Sequence, residues 1–120
     1  MQRDVVKFLE DIHRFAVDAR DIAAGHTLND YLGDKQLRYA LERCFAVIGE
    51  ALTQVKKRDP GTAKRISEWR KIIGFRNLIV HDYDEIRDDR TWDIVRLKLP
   101  ILIDEVKVLF DEGTREHFPD

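Results

Sequence analysis

Between Arg76 and Tyr83 the chain reads Arg-Asn-Leu-Ile-Val-His-Asp-Tyr, so a permanent cation, an amide, an imidazole and a phenol fall within eight residues. A guanidinium is a planar fork of donors that matches phosphate oxygens. An imidazole is the side chain whose ordinary pKa lies closest to neutrality. Together they suit a phosphodiester, and RNA in particular, because RNA carries its own nucleophile in the 2′-hydroxyl. Cleavage then needs proton transfer at that oxygen or at the leaving 5′-oxygen, and stabilisation of charge on the phosphoryl oxygens. His81 can do the first and Arg76 the second, with Asn77 as an assisting polar group and with no metal. Such a reaction leaves a 2′,3′-cyclic phosphate or 3′-phosphate and a 5′-hydroxyl, and DNA is refractory.

Each of these residues also has a plain structural reading. Arg76 alone would be a surface ion-pair residue, His81 a cap at a helix C-terminus, and Tyr83 a half-buried packing residue with a wet hydroxyl. Their conjunction is what points to chemistry.

Other candidates are weaker. Glu10-Asp11-Ile12-His13 has the Glu-x-x-His spacing of di-iron bundles but no second copy. The acidic run after His81 lacks the glycine and terminal glutamate of a calcium loop. His26 and His117 fall in a connector and a tail, where solvent exposure is expected. Cys44 lies on an apolar helix face and reads as inert core. Glu50 interrupts a wide apolar stripe; it either pairs with an arginine in the bundle or lies at its margin.

The 120 residues are enough for one domain that removes roughly two-thirds of its unfolded surface from water. One cysteine permits no intrachain disulfide, which fits a reducing compartment. No apolar run has the length of a membrane span, and the charged N-terminus is unlike a signal peptide, so a soluble cytoplasmic protein without membrane partners is expected. The net charge of −2 argues against a general nucleic-acid coat. The charges are nonetheless uneven. Lys56, Lys57, Arg58, Lys64, Arg65, Arg70, Lys71 and Arg76 are opposed only by Asp59 and Glu68, and the acidic residues Asp82, Asp84, Glu85, Asp88 and Asp89 follow at once. Lys64, Arg65, Arg70 and Lys71 are therefore candidate RNA-binding residues, although such a run can equally be a solvated helix face.

Four helical segments must position these groups. Val5, Leu9, Ile12, Ala16 and Ala19 mark the first, which Gly25 stops. A polar connector, His26 to Gly33, follows. Asp34 then caps a second helix through Leu37, Leu41, Cys44, Ile48, Leu52 and Val55. Its stripe is wide enough to meet more than one neighbour. Asp59-Pro60-Gly61 breaks the chain. A third helix, starting near Ser67, carries the motif. A fourth runs from Trp92 to Gly113, with a kink or break near Lys98 caused by Pro100. The tail from Thr114 to Asp120 is expected to be loose. The whole is one all-α, up-down bundle of four to five helices spanning residues 1–120.

The motif poses a geometric problem. Five steps along a continuous helix set Arg76 and His81 about 140° apart. Either the helix ends before His81 and the chain turns back, or two subunits bring two motifs to one cleft. The second arrangement fits a symmetric dimer, in which two basic segments flank one groove.

Three blocks in order resemble the HepT-like HEPN family: Ala-Val-Ile-Gly-Glu-Ala at 46–51, Ile-Gly-Phe-Arg-Asn-Leu-Ile-Val-His-Asp-Tyr at 73–83, and Thr-Trp-Asp-Ile-Val with Leu-Pro at 91–100. The central block is similar to that family's Arg-x4-His-x-Tyr motif. The resemblance implies a homodimeric HEPN-like bundle with no cofactor, acting as a metal-independent ribonuclease toxin of a toxin–antitoxin pair. Its partner would be a minimal nucleotidyltransferase antitoxin that transfers AMP to the motif tyrosine. Carried over by position, Arg76 and His81 are catalytic, Asn77 assists, and Tyr83 is modified. The rival expectation is a non-catalytic nucleotide- or partner-binding subunit of a nucleotidyltransferase complex.

Overall fold

The computed structural model describes residues 1–81 and 88–118; the side chains of His81 and Asp88 are outside that description. The described residues form helices α1 (Arg3–Ala23), α2 (Leu28–Gly33), α3 (Lys35–Arg58), α4 (Pro60–Ala63), α5 (Trp69–His81), α6 (Asp88–Asp93) and α7 (Leu99–His117), with a π-helical turn at Ile94–Lys98 and no strand. The all-α bundle expected from the sequence is what forms. No described helix is long and apolar enough to cross a membrane.

The long helices follow the apolar period. α1 buries Val5, Leu9, Ile12, Ala16, Ala19 and Ala23, and the chain leaves it through Gly25 at φ +80°, a conformation that suits glycine. Asp34 caps α3 as expected, its carboxylate accepting from the N–H groups of Gln36 and Leu37 at 3.0 and 3.2 Å. Lys56, Lys57 and Arg58 fill the last turn of α3, where the helix dipole is negative. α1 packs on α3 and α7, and α3 packs in turn on α5. Cys44 is buried in this core, and burial pushes its thiol pKa up.

Three features depart from the sequence reading. The polar connector contains α2, opened by a capping box in which Thr27 accepts from the Asp30 N–H and Asp30 accepts from the Thr27 N–H. Its Tyr31 is fully buried and packs on Trp92, ring centroids 5.4 Å apart. At six residues α2 is too short to show a period. Second, α7 does not end at Gly113 but runs on to His117. Gly113 is a packing glycine, since a Cβ there would lie 2.7 Å from Met1 Sδ and from Val6 Cγ2. Third, the start of the supposed tail is held. The Met1 amine pairs with Glu116, and His117 Nε2 donates to the Met1 carbonyl. The break expected near Lys98 takes the form of the π-helical turn. Pro100 then sits in the first turn of α7, directly after the Leu99 N–H that closes the π-helical turn onto the Ile94 carbonyl.

The corner before α5 is tied to the last helix. Glu105 accepts from the Ser67 N–H at 3.1 Å and from its hydroxyl at 2.8 Å. Glu68, at φ +57°, pairs with Lys71 at 3.2 Å and Lys98 at 3.3 Å. Arg65 forks onto Glu112 at 2.8 and 2.9 Å. The side-chain bonds from Lys71 and Lys98 hold Glu68 below its ordinary 4.5, and the bond from Arg65 does the same for Glu112. Carboxyls lowered on folding add stability that is complete above about pH 4.5 and disappears as pH falls through the lowered values. A Glu68→Gln/Glu112→Gln variant should therefore lose less thermal stability between pH 5 and pH 3 than the wild type, measured by circular dichroism melting.

Candidate active site

α5 carries Arg76, Asn77 and His81, and its position is set by one close approach to α3. A Cβ built on Gly49 would lie 2.2 Å from Arg76 Cβ and 2.7 Å from its Cγ, so only glycine admits α5 at this distance. The approach lays the Arg76 side chain beside Glu50. Arg76 Nη2 pairs with Glu50 Oε2 at 3.2 Å, and Nη1 donates to Asn77 Oδ1 at 3.1 Å. The Arg76 side chain is only 26% exposed. Its Nε is buried, with no hydrogen-bond partner among the described residues. Glu50 thus meets both expectations, pairing with an arginine while lying at the margin of the bundle with its side chain 48% exposed.

Arg76 opens into a cavity of about 310 Å³ where three helices meet, lined among others by Phe8 and Asp11 from α1, Arg43 and Glu50 from α3, and Val80 from α5. Arg43 was not singled out from the sequence. It stands seven residues before Glu50, two helical turns away on the same face. Asp11 is occupied by Lys7 at 3.0 Å and Arg14 at 3.4 Å. Arg43 is exposed and enters no hydrogen bond or ion pair with the described residues, so its guanidinium is available to a ligand.

The backbone of α5 stays helical through His81. The helix therefore does not end early to turn His81 back, and Arg76 and His81 leave one helix about 140° apart. Asn77 stands four residues before His81 on a shared face while its carbonyl holds Arg76, so it links the two sides of the motif. Tyr83 lies outside the described residues.

The basic run is not a single patch. Arg65 is committed to Glu112 and Lys71 to Glu68. The Arg70 guanidinium and Lys56 ammonium both lie over the Trp69 ring, 5.0 and 5.1 Å from its centroid. Lys64 ends α4 and is exposed. Lys71 lines a second cavity, also of about 310 Å³, whose walls are mainly apolar and include Phe45, Ile72, Phe75 and Leu102. Arg76 does not reach it.

A helix-interior glycine costs about 1 kcal/mol relative to alanine, and that was the signal in the sequence for a close contact at Gly49. Gly49→Ala should lower stability by about 1–3 kcal/mol, because the backbone of α5 must move, and it should displace Arg76. Chemical denaturation of the variant checks the first effect. A stability equal to wild type would show that α5 does not need this approach.

The family model described as Ribonuclease HepT-like matches residues 8–109. Putative RNase MJ1380 of Methanocaldococcus jannaschii is 30% identical over 108 residues, covering 90% of this chain and 98% of that protein. Putative RNase MJ0127 of the same organism is 29% identical over 111 residues, 92% of this chain and 91% of the relative. Probable ribonuclease HepT of Thermococcus cleftensis is 28% identical over 105 residues, 85% and 92% of the two chains. No solved structure matches at comparable stringency. A chain matched by that family model from α1 into α7, with an arginine of its Arg-Asn-x-x-x-His segment set in a cavity on α5, belongs to the ribonuclease HepT-like family.

Proposed function

We infer that this protein is a metal-independent endoribonuclease that works as a homodimer and serves as the toxin of a toxin–antitoxin pair. The observation that carries this reading is Arg76, set in a cavity whose lining also holds Asp11, Arg43 and Glu50, on the helix that also bears His81, in a chain of a ribonuclease family. In the reaction, the 2′-hydroxyl loses its proton and its oxygen attacks phosphorus. The 5′-oxygen leaves with a proton, giving a 2′,3′-cyclic phosphate and a 5′-hydroxyl. Arg76 stabilises the charge on the non-bridging oxygens, and His81 moves a proton at one of the bridging ones. Arg43 offers a second guanidinium for a neighbouring phosphate.

The separation of Arg76 and His81 on α5 supports a dimer, because two copies can bring the arginine of one motif and the histidine of the other to one phosphodiester. Leu97, Ile101 and Val108 are roughly half exposed at four- and seven-residue steps, an apolar stripe of the kind that a second subunit covers.

Control falls to Tyr83 in this reading. Its phenolic oxygen attacks the α-phosphorus of ATP bound to a nucleotidyltransferase partner, pyrophosphate leaves, and AMP remains on the ring. The added bulk and negative charge, two residues past His81 in the sequence, exclude RNA in this reading.

Single-stranded RNA incubated with the protein in a chelator should be cut to products with 2′,3′-cyclic phosphate ends. Arg76→Ala and His81→Ala should each lower the rate by about 10²-fold or more. Undiminished cleavage in both variants would overturn the assignment; tight nucleotide binding without any cleavage would favour a non-catalytic subunit. When the protein is co-expressed with a minimal nucleotidyltransferase encoded beside it, mass spectrometry should find AMP on Tyr83. Tyr83→Phe should stay active in that setting, and its full silencing would rule out control at this residue.

A further inference from the structure

A row of side chains along α3 ends at Arg76. Arg58 Nη1 donates to the Gln54 side-chain oxygen, Gln54 Nε2 donates to Glu50 Oε1 at 3.0 Å, and Glu50 Oε2 receives Arg76 Nη2 at 3.2 Å. Residues 50, 54 and 58 stand at four-residue steps and so share a face of the helix. The row is anchored at its far end, where the Arg58 guanidinium lies over the Phe8 ring, 5.0 Å from the centroid. Each oxygen of the Glu50 carboxylate thus has one partner: Gln54 orients it and Arg76 receives it.

A carboxylate is an odd neighbour for a phosphate-binding arginine, since it repels the ligand that the arginine attracts. Its position supplies a reason. Arg76 hangs from α5, but Glu50 belongs to α3, so the pair fixes the guanidinium against a second helix. Asn77 holds Nη1 from α5 itself. With Nε buried, the two Nη groups are the part of the fork left to meet a ligand, and both are already oriented. We propose that Glu50 is a positioning residue for Arg76: the row Arg58–Gln54–Glu50 sets the guanidinium in its catalytic orientation and accepts weaker attraction for RNA in exchange.

This inference rests on the ribonuclease reading, and two measurements keep their failures apart. The first is steady-state cleavage of a single-stranded RNA oligonucleotide in chelator. Glu50→Ala should lower kcat by about 10²-fold, the scale of a misplaced catalytic group, while KM stays level or falls. Glu50→Gln keeps one acceptor oxygen for Arg76 but sets an amide N–H2 where an oxygen received Gln54, so it should lose no more kcat than Gln54→Ala and show a lower KM because the repelling charge is gone. Gln54→Ala should lose an intermediate amount of kcat. Melting temperatures near wild type in the three variants separate these effects from unfolding. A wild-type kcat in Glu50→Ala, or equal losses in Glu50→Ala and Glu50→Gln, would overturn the positioning role.

The second measurement is arginine side-chain NMR of the full chain without RNA. The Arg76 guanidinium should rotate slowly in the wild type and in Glu50→Gln, and quickly in Glu50→Ala. Rotation equally fast in wild type and Glu50→Ala would overturn the proposal whatever the activity. A wild type that cuts no RNA would instead remove the ribonuclease reading, leaving the NMR result to decide whether Glu50 holds Arg76.

Discussion

The contact of α5 with α3 at Gly49 is the constraint on which the candidate site depends. With 2.2 Å between Arg76 Cβ and a Cβ built on Gly49, any larger residue must push the two helices apart. The same approach brings Arg76 alongside Glu50, buries its Nε and places its guanidinium in the cavity shared with Arg43. The approach also packs the apolar sides of α3 and α5 together, with the Phe45 and Phe75 rings 5.6 Å apart, and the polar groups at Arg76 are local costs set against that burial. A partly exposed ion pair contributes about 0.2–1 kcal/mol. A buried donor without a partner costs about 1–3 kcal/mol, and a glycine inside a helix costs about 1 kcal/mol more than alanine.

Charge is distributed along the same lines. Most of the cations that crowd the sequence before the motif are engaged within the fold: Arg65 by Glu112, Lys71 by Glu68, Arg58 by Gln54, and Arg70 and Lys56 over Trp69. These contacts dock the α4–α5 corner and the end of α3. The cavity at Arg76 keeps Arg43 uncommitted, with the carboxylate of Glu50 in the same lining. A net charge of −2 is compatible with gripping a polyanion when the available cations are few and localised, rather than spread over a face.

Much of the architecture is legible in the amino-acid sequence. The three- and four-residue steps of α1, α3 and α7, the Asp34 cap, the Gly25 stop and the disruption before Pro100 are local matters of side-chain type and spacing. Local rules found them to within a residue or two. The misses are also instructive. α2 is shorter than the window in which a period can be seen, so Tyr31 read as connector although it is core. Gly113 read as a stop signal because a glycine near a helix end usually is one. Here it admits Met1 and Val6, residues more than a hundred positions away in the chain.

The sequence by itself determined the reactive inventory and its register on one helix: Arg76, Asn77 and His81, with the second pair sharing a face and the first and last diverging. It also flagged Glu50 as a charge out of place in an apolar stripe. What only the tertiary structure decided is which groups meet. That Glu50 answers Arg76, that Arg43 joins the same cavity, and that Lys71 faces a different one all follow from how α5 is rotated and seated against α3 and α7. Periodicity specifies which side of a helix is buried. It carries no record of the distance or phase at which two buried sides interlock, and in this protein that is set by a single missing side chain at Gly49.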